Sequence, residues 1–256
     1  MPDGRAPCES EDYDGTAPLR LKLDEAGSVV VYLPDFGLPD ASIADLQAAL
    51  AASEQASASS PPPEDCSTHS GSGRRQWFAE FPERALGWIG PRRWRRASWA
   101  LSGDEQLRPV RAIRAAVEAA IADLGDAKLC EAYNSVLVNR YYDGLASIKW
   151  HADDEKWYYC SAAKDNSDIK IASVSFGAER WFEFRSDPRV TQQVEQRRKV
   201  RIRLRSGSLL LMAGATQQRW QHALPKDESV SCARYNLTFR RVMTAEEDPR
   251  LLCVKA

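Results

Sequence analysis

Residues 200–205 read VRIRLR, a stretch that alternates strictly between apolar and basic side chains. A period of two is typical of a β-strand that buries one side and exposes the other. We therefore predict that three side chains point into a core, Val200, Ile202 and Leu204. Three others are predicted to point outward, Arg201, Arg203 and Arg205. A second strand is expected directly afterwards, at 208–213, with an apolar run at 209–213.

Comparable strand patterns run from Glu131 to the end of the folded region. We predict strands at 134–142, 148–153, 170–176, 181–185, 198–205, 208–213 and 234–242. A short buried strand is also expected near the start of the chain, at 29–33. A helix followed by seven or eight strands predicts an α+β fold, in which a double-stranded β-helix (jelly-roll) barrel is supported by helices.

Two helices are predicted before these strands. Residues 107–124 place apolar side chains on one stripe, with Pro109 suited to the first turn and Gly125 to the C-terminal cap. Residues 40–51 also have helical spacing. Residues 1–20 are polar and are expected to be disordered. We divide the chain into an acidic N-terminal region with a short strand and helix (1–51), a flexible Ser/Pro-rich insertion (52–75), a main domain (76–245) and a C-terminal tail (246–256).

The bulk composition is that of a globular protein, with 43% hydrophobic and 28% charged residues among 256. Apolar runs such as 209–213 are too short to cross a bilayer, so no membrane segment is expected. The N-terminus is acidic and lacks the apolar core of a secretory signal. Six cysteines lack C-x-x-C spacing, which favours reduced thiols and an intracellular location, nuclear in a eukaryote and cytoplasmic otherwise.

The net charge of -1 conceals a strong asymmetry along the chain. Residues 1–73 carry 13 acidic against 3 basic residues, whereas residues 74–114 carry 10 arginines against 4 acidic residues. A second basic stretch, 189–205, holds seven positive residues and one glutamate. Clustered arginines favour a polyanionic partner. The alternative is that they form an ordinary solvated face.

Three residues have the spacing of a metal site. His151 and Asp153 form an H-x-D pair, and His222 follows about 70 residues later. On the predicted strand 148–153, the first two would point to the same face. Two imidazoles and one carboxylate can bind one face of an Fe(II) ion and leave other positions open. H-x-D alone is a weak signal, since a surface pair has the same spacing.

A polar row strengthens the prediction. Arg234, Asn236, Thr238 and Arg240 share one face of a predicted strand, and Asn139 and Tyr141 share a face of another. Polar side chains that face a barrel interior are costly unless they bind something, so a polar ligand cavity is expected. Arginines beside the metal favour a dicarboxylate co-substrate, because a guanidinium pairs bidentately with a carboxylate.

The region from Gln76 to Val242 resembles the AlkB-type Fe(II)/2-oxoglutarate dioxygenases that dealkylate nucleic acids, and within them the DNA-repair branch. Five stretches carry the resemblance: NSVLVNRYYDG (134–144), WHADDE (150–155), IASVSFGAERWFEFR (171–185), SGSLLLMAGATQQRWQHALPK (206–226) and RYNLTFR (234–240). It implies that 76–245 is the dioxygenase domain and that Fe(II), 2-oxoglutarate and O2 are required. The implied reaction is oxidative dealkylation of N1-methyladenine and N3-methylcytosine in DNA, releasing formaldehyde, succinate and CO2.

The resemblance also assigns roles around the iron. His151, Asp153 and His222 would bind the metal. Arg234 would pair with the distal carboxylate of 2-oxoglutarate, helped by Asn139 and Tyr141. Arg240 would lie near the carboxylate that is lost, with two neighbours close by, Asn236 and Thr238.

The substrate contacts are less fixed by the motifs. The resemblance implies that Asp154 and Glu155 face the damaged base and that Trp99 stacks on it, although Trp99 beside an apolar run also fits a core position. A flipped base leaves a gap in a duplex, and Phe78, or else Trp77, is the predicted wedge. The alternative is a strand that packs these aromatics on the barrel. Candidate phosphate contacts are Arg74, Arg75, Arg92, Arg93, Arg95 and Arg96, with the 201–205 arginines for an opposite strand.

Other functions stay open at this point. The same cofactors would serve an RNA or protein demethylase, or a small-molecule hydroxylase, against which the arginine clusters argue. A non-catalytic nucleic-acid-binding module would be expected to lack a metal ligand or an arginine, and this chain has all of them. We expect a monomer that acts on alkylated DNA, with RNA as the alternative partner.

Overall fold

The computed structural model describes residues 10–38, 40–58, 74–80, 99–100, 103–155, 158, 160–164, 167–193 and 197–243. Within these ranges, only the backbone is described at 53–58, 74–80, 99–100 and 103–104. None of the helices in this part of the chain is long and apolar enough to span a membrane.

The described residues form three helices and thirteen strands. The helices are α1 (Asp40–Ala58), α2 (Gly103–Ala122) and the single turn α3 (Thr216–Arg219), with a 3-10 turn at Ala127–Leu129. The strands are β1 (Ser10–Tyr13), β2 (Leu19–Lys22), β3 (Val29–Leu33), β4 (Arg74–Glu80), β5 (Trp99–Ala100), β6 (Ser135–Tyr141), β7 (Ile148–His151), β8 (Ile171–Gly177), β9 (Arg180–Ser186), β10 (Lys199–Leu204), β11 (Ser208–Ala213), β12 (Trp220–Leu224) and β13 (Arg234–Arg240).

The strands are arranged in two sheets. One has five strands in the order β1-β10-β9-β12-β7, and the other has eight in the order β2-β3-β11-β8-β13-β6-β4-β5. Neighbours pair antiparallel except for β1 with β10 and β4 with β5. Two mostly antiparallel sheets with few helices fit the predicted jelly-roll fold. Closure of the two sheets into a barrel stays a prediction.

The eight-stranded sheet has a hydrophobic core on each face. On one face, the apolar stripes of α1 and α2 pack against side chains such as Val174, Leu237 and Phe239. On the other face, residues of β3, β8 and β11 pack against the inner side of the five-stranded sheet, where Val200, Ile202 and Leu204 lie as predicted. The polar site described below is built into this second layer, between the sheets.

Three predicted element boundaries were wrong for local reasons. Strand β1 and the first two residues of β2 lie within residues 1–20, which we predicted to be disordered; Tyr13, Leu19 and Leu21 pack on the inter-sheet core. Helix α1 continues to Ala58, seven residues into the predicted insertion, because its Glu, Gln and Ala residues favour helix. Helix α2 starts at Gly103, so Pro109 is inside it and not in its first turn.

Two further differences concern the metal site. Strand β7 ends at His151, so Asp153 lies in the following loop and not on the predicted strand 148–153. Strand β12 carries His222 and was not predicted at all. Four of its five residues are buried, which removes the alternation on which the strand predictions relied.

Candidate active site

Two adjacent strands bring the predicted histidines together. Strands β7 and β12 pair antiparallel, and His222 is directly opposite His151 in the register. Their ring centroids are 4.3 Å apart. Opposite residues in a sheet share a face, so both imidazoles lie at one position between the sheets.

Asp153 completes the group from the loop after β7. Its backbone N–H donates to Oε1 of Gln217 at 2.9 Å, and its Oδ2 accepts from Nη2 of Arg240 at 2.6 Å. Its Oδ1 lies 3.9 Å from Nε2 of His151. One ligand atom from each of the three residues falls within 4.8 Å of the other two. One backbone contact, with Gln217, and one side-chain contact, with Arg240, therefore orient Asp153. They replace the strand geometry that was predicted to do so.

The ionisation states also suit a metal. Burial lowers the pKa of His222 to about 3, so its imidazole is neutral and can donate a lone pair. Burial alone would raise the pKa of Asp153, but the positive charge of Arg240, which also donates a hydrogen bond to it, holds this pKa well below its usual range. Nδ1 of His151 lies 2.7 Å from the carbonyl oxygen of Lys149, which leaves Nε2 for the metal when Nδ1 carries the proton. Two imidazoles and a carboxylate fit Fe(II) with open coordination positions.

The polar row on β13 lies beside this group, as predicted. Oγ1 of Thr238 donates to Oδ1 of Asn236 at 3.0 Å, and Nδ2 of Asn236 donates to Oγ of Ser173 at 2.7 Å. Nδ2 of Asn139 on β6 donates to the same Asn236 oxygen at 3.4 Å. Tyr235, Leu237 and Phe239 face the helix-covered core instead. The alternation therefore holds along the whole strand.

Arg234 is the least compensated charge in this row. Its side chain is 2% exposed, its Nη2 donates to Oγ of Ser175 at 2.8 Å, and its guanidinium carbon is 5.2 Å from the centre of the Tyr141 ring. Within the described ranges, no carboxylate pairs with it and its Nε has no hydrogen-bond partner. Burial lowers the pKa of Arg234 to about 10. Such a buried cation gains most from an anionic ligand.

Arg180 is equally buried and makes a useful contrast. Its guanidinium donates to the carbonyl oxygens of Asp143 at 3.1 Å and Ala146 at 3.0 Å, and also to that of Pro225. Three carbonyl partners satisfy most of its donors, so its role is to hold loops together. Arg234 has no comparable set of acceptors among the described residues.

Three described residues follow Asp153 closely in the chain: Asp154, Glu155 and Tyr158. Asp154 is exposed, whereas Glu155 is half-buried and has an Oε2 without a hydrogen-bond partner in the described structure. Burial, with the neighbouring Asp153 charge, raises the pKa of the Glu155 carboxyl. The hydroxyl of Tyr158 hydrogen-bonds the Glu155 side chain, and the Tyr158 ring centre is 5.3 Å from the Arg240 guanidinium carbon.

The aromatic residues predicted to meet the substrate are described only by their backbone. Trp77 on β4 is in register with Val138 of β6 and with Trp99 of β5, and Phe78 is in register with Leu137. Strand β4 is thus paired on both sides at these positions and is not a turn. Arg74 and Arg75 begin the same strand. The four predicted phosphate contacts Arg92, Arg93, Arg95 and Arg96 lie outside the described residues.

The outward arginines at 201–205 are already paired with carboxylates. Arg201 contacts Asp12 at 3.0 Å and Glu183 at 3.3 Å. Arg203 and Arg205 lie 3.2 and 3.5 Å from Glu179. Their predicted outward orientation is confirmed, but a nucleic-acid strand would have to compete with these acidic partners.

Sequence reasoning missed four residues of the site. Ser173 and Ser175 alternate with apolar residues on β8, and that period-two pattern could have identified them. Gln217 sits in a one-turn helix, which has no periodic signature. Tyr158 lies in the long connection after the H-x-D pair, where no regular pattern applies.

Comparisons with known proteins agree with this geometry. A family model described as the 2OG-Fe(II) oxygenase superfamily matches residues 30–240. Alpha-ketoglutarate-dependent dioxygenase alkB homolog 3 of mouse (Mus musculus) is 42% identical over 120 residues, which cover 46% of this chain and 38% of that protein. DNA oxidative demethylase ALKBH2 is 39% identical over 127 residues in cattle (Bos taurus; 49% of this chain, 43% of that protein) and 40% identical over 130 in mouse (47% and 49%).

These matches confirm the resemblance predicted from the motifs and, with it, the cofactors that such a family uses: Fe(II), 2-oxoglutarate and O2. The aligned region spans less than half the length of each of these three relatives.

Proposed function

Because the chain belongs to the 2OG-Fe(II) oxygenase superfamily, we propose that it catalyses the oxidative dealkylation of N1-methyladenine and N3-methylcytosine in DNA. The names of its relatives support this reading, since two of them are DNA oxidative demethylases. The products would be succinate, CO2, formaldehyde and the unmodified base.

The observation that carries the proposal is Arg234. A fully buried guanidinium without a carboxylate partner in the described structure lies in the same polar row as Arg240, which holds the iron-binding carboxylate. A dicarboxylate placed between the metal group and Arg234 would supply the missing negative charge. 2-Oxoglutarate meets this requirement, because one end can bind a metal while the distal carboxylate pairs with an arginine.

When bound, Fe(II), 2-oxoglutarate and O2 supply the oxidising chemistry that hydroxylates the N-alkyl carbon. The protein's own residues hold the components in place. Arg240 and Gln217 fix both ends of Asp153, while Arg234, Ser175 and Tyr141 orient the distal carboxylate. Burial of this row excludes water from the reacting carbon.

Recognition of the base would fall to the residues beside the metal group. Among the described residues, the buried Oε2 of Glu155 has no hydrogen-bond partner, and an acceptor there suits the exocyclic amine of adenine or cytosine. We propose that Asp154 assists it and that Trp99 stacks on the flipped base. Phe78 is the proposed wedge in a duplex, with Trp77 second, and both lie on β4 beside β5 and β6.

The proposal can be tested by mass spectrometry of oligonucleotides that carry one N3-methylcytosine or one N1-methyladenine. Each is incubated with the protein, Fe(II), 2-oxoglutarate and ascorbate, as single-stranded DNA, duplex DNA and single-stranded RNA. Loss of one methylene mass with equimolar succinate is expected for DNA, and none for His151→Ala. Turnover on RNA alone would replace DNA by RNA as the substrate. Succinate without any demethylation would keep the oxygenase and overturn the substrate.

A further inference from the structure

We propose that Tyr158 is a positioning residue that sets both the iron carboxylate and the base-facing carboxyl, a role that rests on the proposed function. Tyr158 lies in the connection between the H-x-D pair and β8, outside any helix or strand. It contacts no metal ligand directly in the contacts described. It touches the two residues that flank the metal group, Arg240 and Glu155.

The first contact is with Arg240. The Tyr158 ring centre is 5.3 Å from the guanidinium carbon, and the ring is 1% exposed. Arg240 uses Nη2 to bind Asp153, while its Nε has no hydrogen-bond partner among the described residues. A desolvated aromatic face attracts a cation electrostatically. The ring therefore restricts the guanidinium that aims Oδ1 of Asp153 at the metal.

The second contact is with Glu155. The Tyr158 backbone N–H donates to the Glu155 carbonyl oxygen at 3.0 Å, and the hydroxyl bonds the Glu155 carboxyl. These two hydrogen bonds link Tyr158 to Glu155 across one turn of the chain. The other carboxyl oxygen of Glu155, Oε2, has no hydrogen-bond partner in the described structure. The Tyr158 hydroxyl thus fixes the rotamer of Glu155 and presents one oxygen to the base.

Two anchors hold Tyr158 itself in place. Its backbone forms an isolated bridge with Val242, two residues beyond Arg240. Two residues later, the buried Sγ of Cys160 accepts from Nζ of Lys170 at 3.1 Å. Lys170 is 1% exposed and also pairs with Asp168 at 2.9 Å.

Asp168 in turn accepts from the Gly214 backbone N–H at 2.7 Å, which ties the connection to the end of β11. A buried lysine is almost always paired. The contacts of Lys170 with Asp168 and Cys160 therefore anchor the end of the connection that lies next to β8. The described residues of the connection are therefore anchored on both sides of Tyr158, which holds this residue in place.

Two substitutions separate the two contacts. Tyr158→Phe removes the hydroxyl but keeps the ring on Arg240. We expect iron and 2-oxoglutarate binding to be unchanged, while KM for a methylated oligonucleotide rises about 3- to 10-fold, the effect of one lost hydrogen bond. Tyr158→Leu also removes the ring, so the affinity for the metal should fall about 10-fold, as for other residues that orient a metal ligand.

Tyr133→Phe is the matched control. Tyr133 is equally buried, but it packs in the helix-covered core and its hydroxyl has no hydrogen-bond partner in the described structure. Its loss should change neither metal affinity nor KM. Circular dichroism of all three variants checks that they remain folded.

Metal affinity is measured by titrating the protein with Mn²⁺ in place of iron, a readout that needs no turnover. A lower Mn²⁺ affinity in Tyr158→Leu, with wild-type affinity in Tyr158→Phe, supports the Arg240 contact even if no methylated DNA is a substrate. Equal Mn²⁺ affinity in the wild type and both variants would overturn the proposal that the Tyr158 ring positions Arg240 and, through it, Asp153. If Tyr158→Phe is active and has the wild-type KM for the methylated oligonucleotide, the proposal that the Tyr158 hydroxyl positions Glu155 is overturned.

Discussion

Arg240 holds Asp153 by one carboxylate oxygen, with Nη2 2.6 Å from Oδ2, and both side chains are buried. The other oxygen, Oδ1, is the one that faces His151. Because Oδ2 is held by Arg240 while Oδ1 stays available, a residue in a loop can act as a metal ligand. A guanidinium on the rigid strand β13 takes the place of the strand geometry that Asp153 lacks.

This relationship predicts that Arg240→Gln weakens metal binding. The substitution removes the charge that keeps Asp153 ionised in a buried site and one of its two anchors. We expect the Mn²⁺ dissociation constant to rise about 10- to 100-fold, the usual cost of losing such a partner. Arg240→Lys should recover part of the affinity, since it keeps the charge without the planar geometry.

The control for this prediction is Arg203→Gln. Arg203 lies on the outer side of β10, half-exposed, and pairs with Glu179. The Arg203→Gln substitution removes the same charge as Arg240→Gln. It should leave the Mn²⁺ affinity within about twofold of the wild-type value, because exposed ion pairs contribute little. Similar losses in both variants would show that overall charge, and not the Asp153 contact, governs the affinity.

The strand patterns predicted most of this site, for a physical reason. One face of β13 packs on the helix-covered core and the other faces the polar cavity. Apolar and polar residues therefore alternate along this strand. Asp153 was placed correctly by the wrong argument, since β7 ends at His151. Strand β12 and Gln217 carry no periodic signal, because one is buried on nearly every residue and the other sits in a single helical turn.

A second prediction concerns Arg234→Met. The change removes a buried cation that has few partners, so the ligand-free protein should keep its melting temperature or gain a few degrees. Addition of 2-oxoglutarate to the Mn²⁺-loaded wild type should raise the melting temperature further, and this additional rise should be lost in Arg234→Met at the same ligand concentration. Differential scanning fluorimetry measures both effects. An undiminished ligand-induced rise would place the distal carboxylate elsewhere.

Arg180→Met serves as the matched comparison for Arg234→Met. Arg180 donates to three carbonyl oxygens, and its loss leaves those acceptors buried without a donor. We expect a clear fall in melting temperature, since each unsatisfied group costs about 1–3 kcal/mol. The surviving folded protein should still respond to 2-oxoglutarate.

Gln217→Met tests the second anchor of Asp153. The change keeps the volume but removes the acceptor of the Asp153 N–H, which is buried. We expect a loss of about 1–3 kcal/mol in the free energy of unfolding, measured by urea denaturation, and a weaker affinity for Mn²⁺. Gln218→Met is the control, because Gln218 bonds the Ser167 carbonyl oxygen near the surface. If both variants lose the same affinity, Gln217 has no particular role at the metal.

Gly144→Ala tests how the loop after β6 packs. A Cβ at this position would lie 1.7 Å from the Asp227 carbonyl oxygen and 2.8 Å from that of Val230. Both atoms are backbone, so the loops must separate, and we expect the protein to melt many degrees lower. Gly207→Ala is the comparison: its φ is +80° but its Cβ would meet nothing within 4 Å. That strain alone costs about 1–2 kcal/mol. Equal losses would contradict the close packing at Gly144.

The most direct test of the whole account is an anaerobic titration of the Fe(II)-loaded protein with 2-oxoglutarate, followed by visible absorption. A 2-oxoglutarate bound to Fe(II) through two oxygens gives a charge-transfer band that neither component gives alone. We predict the band in the wild type, its displacement to much higher 2-oxoglutarate concentrations in Arg234→Met, and its loss in His222→Ala. A wild type without the band, or a His222→Ala variant that keeps it unchanged, would contradict the assignment of this site.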